Sequence, residues 1–188
     1  MSMEGDRLRA LAQEFRLPTI AAELVPELER AGLTEAFPVL VDVFEHEHID
    51  RRNRRVERLR KSSKLPAGKT FKSYDDTRLS AQVQQSLREL RKGAFTDQAT
   101  NVLCFGLPGT GKTHAACALG HALVELGRPV LFAPAYRLVQ DLLAAKRDLE
   151  LPRKLKRLDH FDLLILDDIG YIRQSPEEVE VLFTLLAE

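Results

Sequence analysis

Residues 106–113 read Gly106-Leu107-Pro108-Gly109-Thr110-Gly111-Lys112-Thr113, which is the G-x-x-x-x-G-K-[ST] spacing of a phosphate-binding loop, or Walker A segment. The chemistry asks for these residue types. Glycine lets the backbone take conformations that a Cβ forbids, so that successive N–H groups can turn inward toward phosphate oxygens. A helix opening at Gly111–Lys112 would add its unpaired N–H groups and the positive end of its dipole. Lys112 would reach the β- and γ-phosphates as a catalytic cation, and the Thr113 hydroxyl would serve Mg²⁺. His114 adjoins this cofactor-binding set as the next helical residue and reads as a packing or surface neighbour, not a catalyst.

A second chemical pattern lies downstream. Asp162-Leu163-Leu164-Ile165-Leu166-Asp167-Asp168 is an apolar run ending in two carboxylates, the form of a Walker B segment. A buried parallel strand would deliver Asp167 beside the phosphate loop, where it would help hold the metal. Asp168 would face the γ-phosphate and orient or deprotonate an attacking water. Many ATPases have glutamate at this second position. Aspartate is one methylene shorter and sets its carboxylate back by on the order of 1 Å, enough to slow hydrolysis.

The third pattern is electrostatic. The 188-residue chain has 28 basic and 28 acidic side chains, yet residues 1–50 carry 4 basic against 11 acidic and residues 51–72 carry 10 against 1. A potential depends on where charge sits, so the neutral total hides a strongly positive segment. Arg51, Arg52, Arg54, Arg55, Arg58, Arg60, Lys61 and Lys64 make a helix end that is cationic nearly all round. Basic residues suit a helix C-terminus, but that accounts for two or three of them. Contact with a nucleic-acid phosphate backbone accounts for the rest. The run has no interleaved aromatics, which favours duplex DNA over stacking on a single strand. A smaller cluster, Arg153, Lys154, Lys156 and Arg157, reads as the solvated face of a helix.

These residues need elements to hold them. Leu8, Leu11 and Phe15, then Ile20, Leu24 and Leu28, predict helices over residues 5–31, broken at Pro18 with Thr19 as a cap. A second helical stretch is predicted from near Thr34 to about Lys61, with Val39, Leu40, Val43, Phe44, Val56 and Leu59 as its apolar positions and Pro38 tolerated in its first turn. Ser62–Lys72 is rich in serine, proline and glycine and reads as a linker or exposed hinge. Helices are expected over Leu79–Lys92, Lys112–Leu126 and Tyr136–Lys146, and strands at Val102–Phe105, Val130–Ala133 and Leu163–Leu166. This alternation predicts an α/β, P-loop NTPase fold with a parallel-sheet core, preceded by a small all-α N-terminal domain. The expected division is 1–68, with the basic helix, and 69–188, the nucleotide-binding core.

Composition narrows the class. Hydrophobic residues make up 44% and charged residues 30%, which supports a globular core and excludes a disordered chain. No apolar run approaches the ~18 residues of a membrane span, and the charged N-terminus lacks the apolar stretch of a secretory signal. Two cysteines, Cys104 and Cys117, exclude a disulfide framework and point to a reducing cytoplasm.

The strings GLPGTGKTHAACALGHALVELGRPVLF, LVQDLLAAK and LDHFDLLILDDIGY resemble the IstB/DnaC-like branch of the AAA+ ATPases. Phe15-Arg16-Leu17-Pro18, the arginine-rich helix and Lys69-Thr70-Phe71 are similar to the IstB type in particular, the ATP-dependent helpers of insertion-sequence transposases. The resemblance implies ATP and Mg²⁺ as cofactors, ATP-driven homo-oligomerisation on double-stranded DNA and handover to a transposase. It places phosphate binding on Gly106–Thr113, metal binding on Thr113 and Asp167, and hydrolysis on Asp168. It also implies a sheet order of 5-1-4-3-2, in which the three readable strands are 1, 2 and 3 and strand 4, between 1 and 3, falls beyond residue 188. The sensor residues and the arginine finger have no counterpart here, so the chain resembles a C-terminally truncated member and is expected not to turn over ATP.

Three rivals remain at this level. A DnaC-like helicase loader would share the core. A non-hydrolysing, nucleotide-dependent binding module would share the loop. A small-molecule kinase would need an arginine-bearing lid and a substrate site after the second strand, and neither is visible.

Overall fold

The computed structural model describes residues 2–77, 79–171 and 175–187. The chain divides into two compact units, Met1–Arg55 and Val56–Glu188.

The first unit is helical, as expected. Helix α1 (Met3–Glu14) opens at Ser2, whose Oγ accepts the Gly5 N–H at 3.1 Å. Helix α2 (Pro18–Arg30) starts on Pro18 itself. The missing N–H of proline is one that a helix start leaves unpaired anyway. Thr19 is therefore inside the helix and not its cap; Leu17 holds that place, without a side-chain bond. A 3-10 turn (Thr34–Ala36) leads into α3 (Phe37–Ser62). Leu8, Val25 and Phe37 form the buried centre, with Leu28, Leu40, Val41 and Phe44 around them. Val39 and Val43, expected on the apolar face, are exposed. Phe37 and Val41 take the inward positions, because the helix begins at Phe37 and its pitch aligns residues 37, 40, 41 and 44.

The second unit begins within α3, at Val56, upstream of the division expected at residue 68. Val56 joins Leu123, Val124, Val130 and Ile165 in one cluster, with Leu59 and Leu65 packed on it. Helices α4 (Ala81–Leu90) and α5 (Ala94–Asp97) come next, followed by an irregular stretch up to α6 (Lys112–Glu125). The alternating part runs β1 (Val130–Pro134), α7 (Ala135–Arg147), α8 (Leu151–Leu158), β2 (Leu163–Asp167), a 3-10 turn (Ile169–Tyr171) and α9 (Pro176–Ala187). Strands β1 and β2 pair in parallel with Val130 opposite Leu163 and Pro134 opposite Asp167. One side of this pair carries the cluster centred on Leu123 and Ile165. A second cluster, of Leu138, Val139, Leu142, Leu155 and Val181, packs on Leu164 and Leu166. Successive strand residues face opposite sides, so Ile165 and Leu164 serve different clusters.

Val102–Phe105, predicted as a strand, is not one. It pairs with no described strand, and Leu103 and Phe105 are 72% and 87% exposed. A lone extended segment leaves its N–H and C=O groups to water, so apolar composition cannot make it a strand without a neighbour. Ser62–Lys72 also differs from the expected exposed hinge. Ser63 is fully buried, its carbonyl accepts the Phe132 N–H at 2.8 Å, and Leu65 joins the cluster beneath β1. Among the described residues no helix is long and apolar enough to cross a membrane.

Candidate functional site

The phosphate loop occupies the turn before α6. Gly106, Gly109 and Gly111 have φ of 155°, 78° and 85°, in the region that disfavours any residue with a Cβ. Residues 101–110 are all exposed. Within the loop, Thr110 Oγ1 donates to the Leu107 carbonyl at 2.8 Å. Gly111 caps α6 without a side-chain bond, which leaves the first-turn N–H groups available. Lys112 Nζ lies back over the loop and donates to the carbonyls of Gly106 and Leu107 at 2.8 and 2.9 Å. Pro108 stands in the same exposed turn.

The two sequence patterns meet. Thr113 Oγ1 donates to Asp167 Oδ1 at 2.9 Å, across a separation of 54 residues. Helix α6 presents Thr113 in its first turn, and β2 ends on Asp167. Asp168 follows in a left-handed conformation, φ 59°, and is exposed. His114 uses its ring in a different way. Nε2 lies 3.1 Å from the Thr70 carbonyl and 3.2 Å from Ser73 Oγ. A carbonyl only accepts, so Nε2 carries the proton in this arrangement.

Several of the basic residues are held by acidic partners near them in the fold. Arg51 and Arg54 bond Glu47 at 2.6 and 3.2 Å, and Arg51 also lies over the Phe15 ring at 4.4 Å. The Arg51 hydrogen bond, ahead of other effects, holds the Glu47 carboxyl below its ordinary range. Arg60 is paired with Glu57 and Glu125. Arg52, Arg55, Arg58, Lys61 and Lys64 are exposed.

Sequence reasoning missed the segment Leu65–Tyr74, which lies along α6. His121 Nε2 donates to the Pro66 carbonyl at 3.0 Å. Tyr74 packs its ring on His114, with centroids 5.1 Å apart, and on Gly111. The only signal was the Lys69-Thr70-Phe71 string, which carried a resemblance and no chemistry. Gly120 was missed too. A Cβ there would meet Ile165 Cδ1 at 2.8 Å and Leu65 Cδ2 at 2.9 Å, so glycine allows α6 to lie close to this segment and to β2.

A glycine loop capping a helix, with its terminal threonine bonded to an aspartate at the end of a parallel strand, defines a P-loop NTPase core. The family model described as IstB-like ATP binding protein matches residues 10–188, and the chain belongs to this family. It is 38% identical over 190 residues to an insertion sequence ATP-binding protein of Sinorhizobium fredii, covering 99% of this chain and 63% of that protein. It is 35% identical to the insertion sequence IS21 ATP-binding protein of Pseudomonas aeruginosa, over 95% of this chain and 68% of the relative. It is 33% identical to the IS5376 counterpart of Geobacillus stearothermophilus, over 97% and 73%. The chain thus spans less than two thirds of the length of the first of these relatives.

Proposed function

We propose that this chain binds ATP with Mg²⁺ at Gly106–Thr113 and acts as an IstB-type helper of DNA transposition, assembling with copies of itself on double-stranded DNA and acting with a transposase. The observation that carries the nucleotide reading is the Thr113–Asp167 bond of 2.9 Å beside a positive-φ glycine loop. Family membership and the names of the relatives support the link to insertion sequences.

The residues fit a magnesium ion. Thr113 and Asp167 offer two hard oxygen donors on one side, and Mg²⁺ takes few protein ligands, leaving the remainder to water and phosphate. Among the described residues no cluster of three or more His, Cys, Asp or Glu offers a full protein cage. The ion, when bound, would neutralise charge on the phosphate oxygens. Lys112 would exchange its two carbonyl partners for the β- and γ-phosphates, and the first-turn N–H groups of α6 would take phosphate oxygens. Asp168 is the acidic group left to orient water.

Lys112→Ala tests the reading. Equilibrium titration with a fluorescent ATP analogue should show a sharp loss of affinity, because the side-chain cation assigned to the β- and γ-phosphates is removed. Equal affinity in parent and variant would reject the nucleotide site. A second reading, a nucleotide-dependent binding module that does not hydrolyse, draws on the short Asp168 side chain and on the unpaired Val102–Phe105 segment ahead of the loop. A phosphate-release assay with and without DNA separates the two.

A further inference from the structure

The phosphate loop holds itself poorly. Its three glycines have positive φ, residues 106–110 are exposed, and its side-chain bonds are those of Thr110 and Lys112 back onto the loop and of Thr113 to Asp167 at its helical end. Phosphate binding would take the Lys112 bonds away. Something outside the loop must then limit Gly111, whose N–H and whose neighbour's N–H belong to the anion cradle.

The segment Leu65–Tyr74 is placed to do so. It runs along α6 toward the loop and is fastened near both ends of that helix. Leu65 fills the space beside Gly120, the Pro66 carbonyl accepts the His121 Nε2–H, and Thr70 and Ser73 hold His114. Its far end is Tyr74. A Cβ on Gly111 would stand 3.2 Å from Tyr74 Cε2 and 3.7 Å from its hydroxyl oxygen, so the ring lies directly against the glycine. The ring is itself backed by His114 on one side and meets Phe71 edge-on, with centroids 6.5 Å apart. The Arg91 guanidinium covers Phe71 at 5.1 Å. Burial, followed by the charge of Asp76, pushes the Tyr74 hydroxyl above its ordinary range.

His114 follows Lys112 and Thr113 directly. The turn of α6 that would grip phosphate is therefore the turn gripped by this segment. We infer that Tyr74, held by His114, is a positioning residue of the phosphate loop: the ring restricts Gly111 to its helix-capping conformation before nucleotide arrives. This inference rests on the nucleotide-binding reading above.

Affinity falls in proportion to the fraction of protein whose site is already competent. Tyr74→Ala and His114→Ala should therefore weaken binding of the fluorescent ATP analogue by about tenfold, if the competent fraction drops to about a tenth. Tyr74→Phe keeps the ring and should restore near-parental affinity. In the ligand-free protein, amide hydrogen exchange at Ala115, whose N–H donates to the Gly111 carbonyl at 2.9 Å, should speed up in Tyr74→Ala and not in Tyr74→Phe. Unchanged exchange at this amide in Tyr74→Ala overturns the inference, whatever the nucleotide does. Loss of binding in Lys112→Ala with parental affinity in Tyr74→Ala overturns it alone and leaves the nucleotide site standing. Parental affinity in Lys112→Ala rejects the nucleotide site, and the exchange measurement still decides the role of Tyr74.

Discussion

Asp168 shows how one residue can carry two constraints. Its place directly after β2 asks for a carboxylate under the function proposed above, and its φ of 59° asks for a residue that tolerates the left-handed region. Aspartate and asparagine enter that region more readily than other residues with a Cβ, because their short polar side chains bond locally. The shorter reach relative to glutamate thus comes with a backbone that a longer or branched side chain would strain. We predict that Asp168→Asn leaves the urea midpoint near the parental value. Asp168→Val should lower stability by about 1–2 kcal/mol, since a β-branched residue is poorly accommodated there. Equal midpoints for the two variants would mean that the conformation is not enforced. Lys112 and Thr113 stood out as candidates from spacing alone. Tyr74 did not, because its importance comes from contact with Gly111 and no sequence interval links positions 74 and 111.

At the scale of an element, α3 sorts its cations by partner. The sequence made its end cationic nearly all round. In the structure Val56 is buried, and Leu59 packs with it on the cluster around Leu123, so the last turns have a dry side. Arg51, Arg54 and Arg60 are committed to Glu47, Glu57 and Glu125, and an ion pair made within the protein must be broken or shared before phosphate can use the arginine. Arg58, Lys61 and Lys64 have exposed side chains. If duplex DNA meets this element, log K should fall with log salt by about 0.9 for each phosphate contact. Replacing Arg58, Lys61 and Lys64 with glutamine should flatten that slope and weaken all sequences alike, and Arg51→Gln should change it less. A flat slope in the parent protein would reject DNA contact. A larger effect from Arg51→Gln would reject the sorting by ion pairs. The Ser62–Lys72 segment belongs to the same lesson. Its serine, proline and glycine content described a hinge, but buried Ser63 and inserted Leu65 fasten it. Composition cannot show that a polar backbone has found a partner, here Phe132 N–H.

At the scale of the whole molecule, the question is what the apolar segment ahead of the loop does. Leu103 and Phe105 are exposed, and Val102–Phe105 has no described strand beside it. An unpaired apolar segment of this kind is a template for association with other chains. We predict concentration-dependent self-association in sedimentation velocity without nucleotide or DNA, shifted toward monomer by the double substitution Leu103→Ser and Phe105→Ser. An unchanged distribution would mean that this segment is not the source. Nucleotide- and DNA-dependent assembly is a separate property, and the same experiment with ATP and duplex added distinguishes them.

The sequence by itself determined the family, the candidate site and most of the element order. Glycine–lysine–threonine spacing, an apolar run ending in two aspartates, and strands alternating with helices are local signals, set by backbone sterics and side-chain periodicity. Only the tertiary structure decided which of these segments became a strand and which residues support the loop. A strand exists only where another strand satisfies its backbone, so β1 and β2 formed and Val102–Phe105 did not. The Thr113–Asp167 bond and the Tyr74–Gly111 contact likewise join positions far apart in the chain, where only packing of α6 against β2 and against Leu65–Tyr74 brings them within reach.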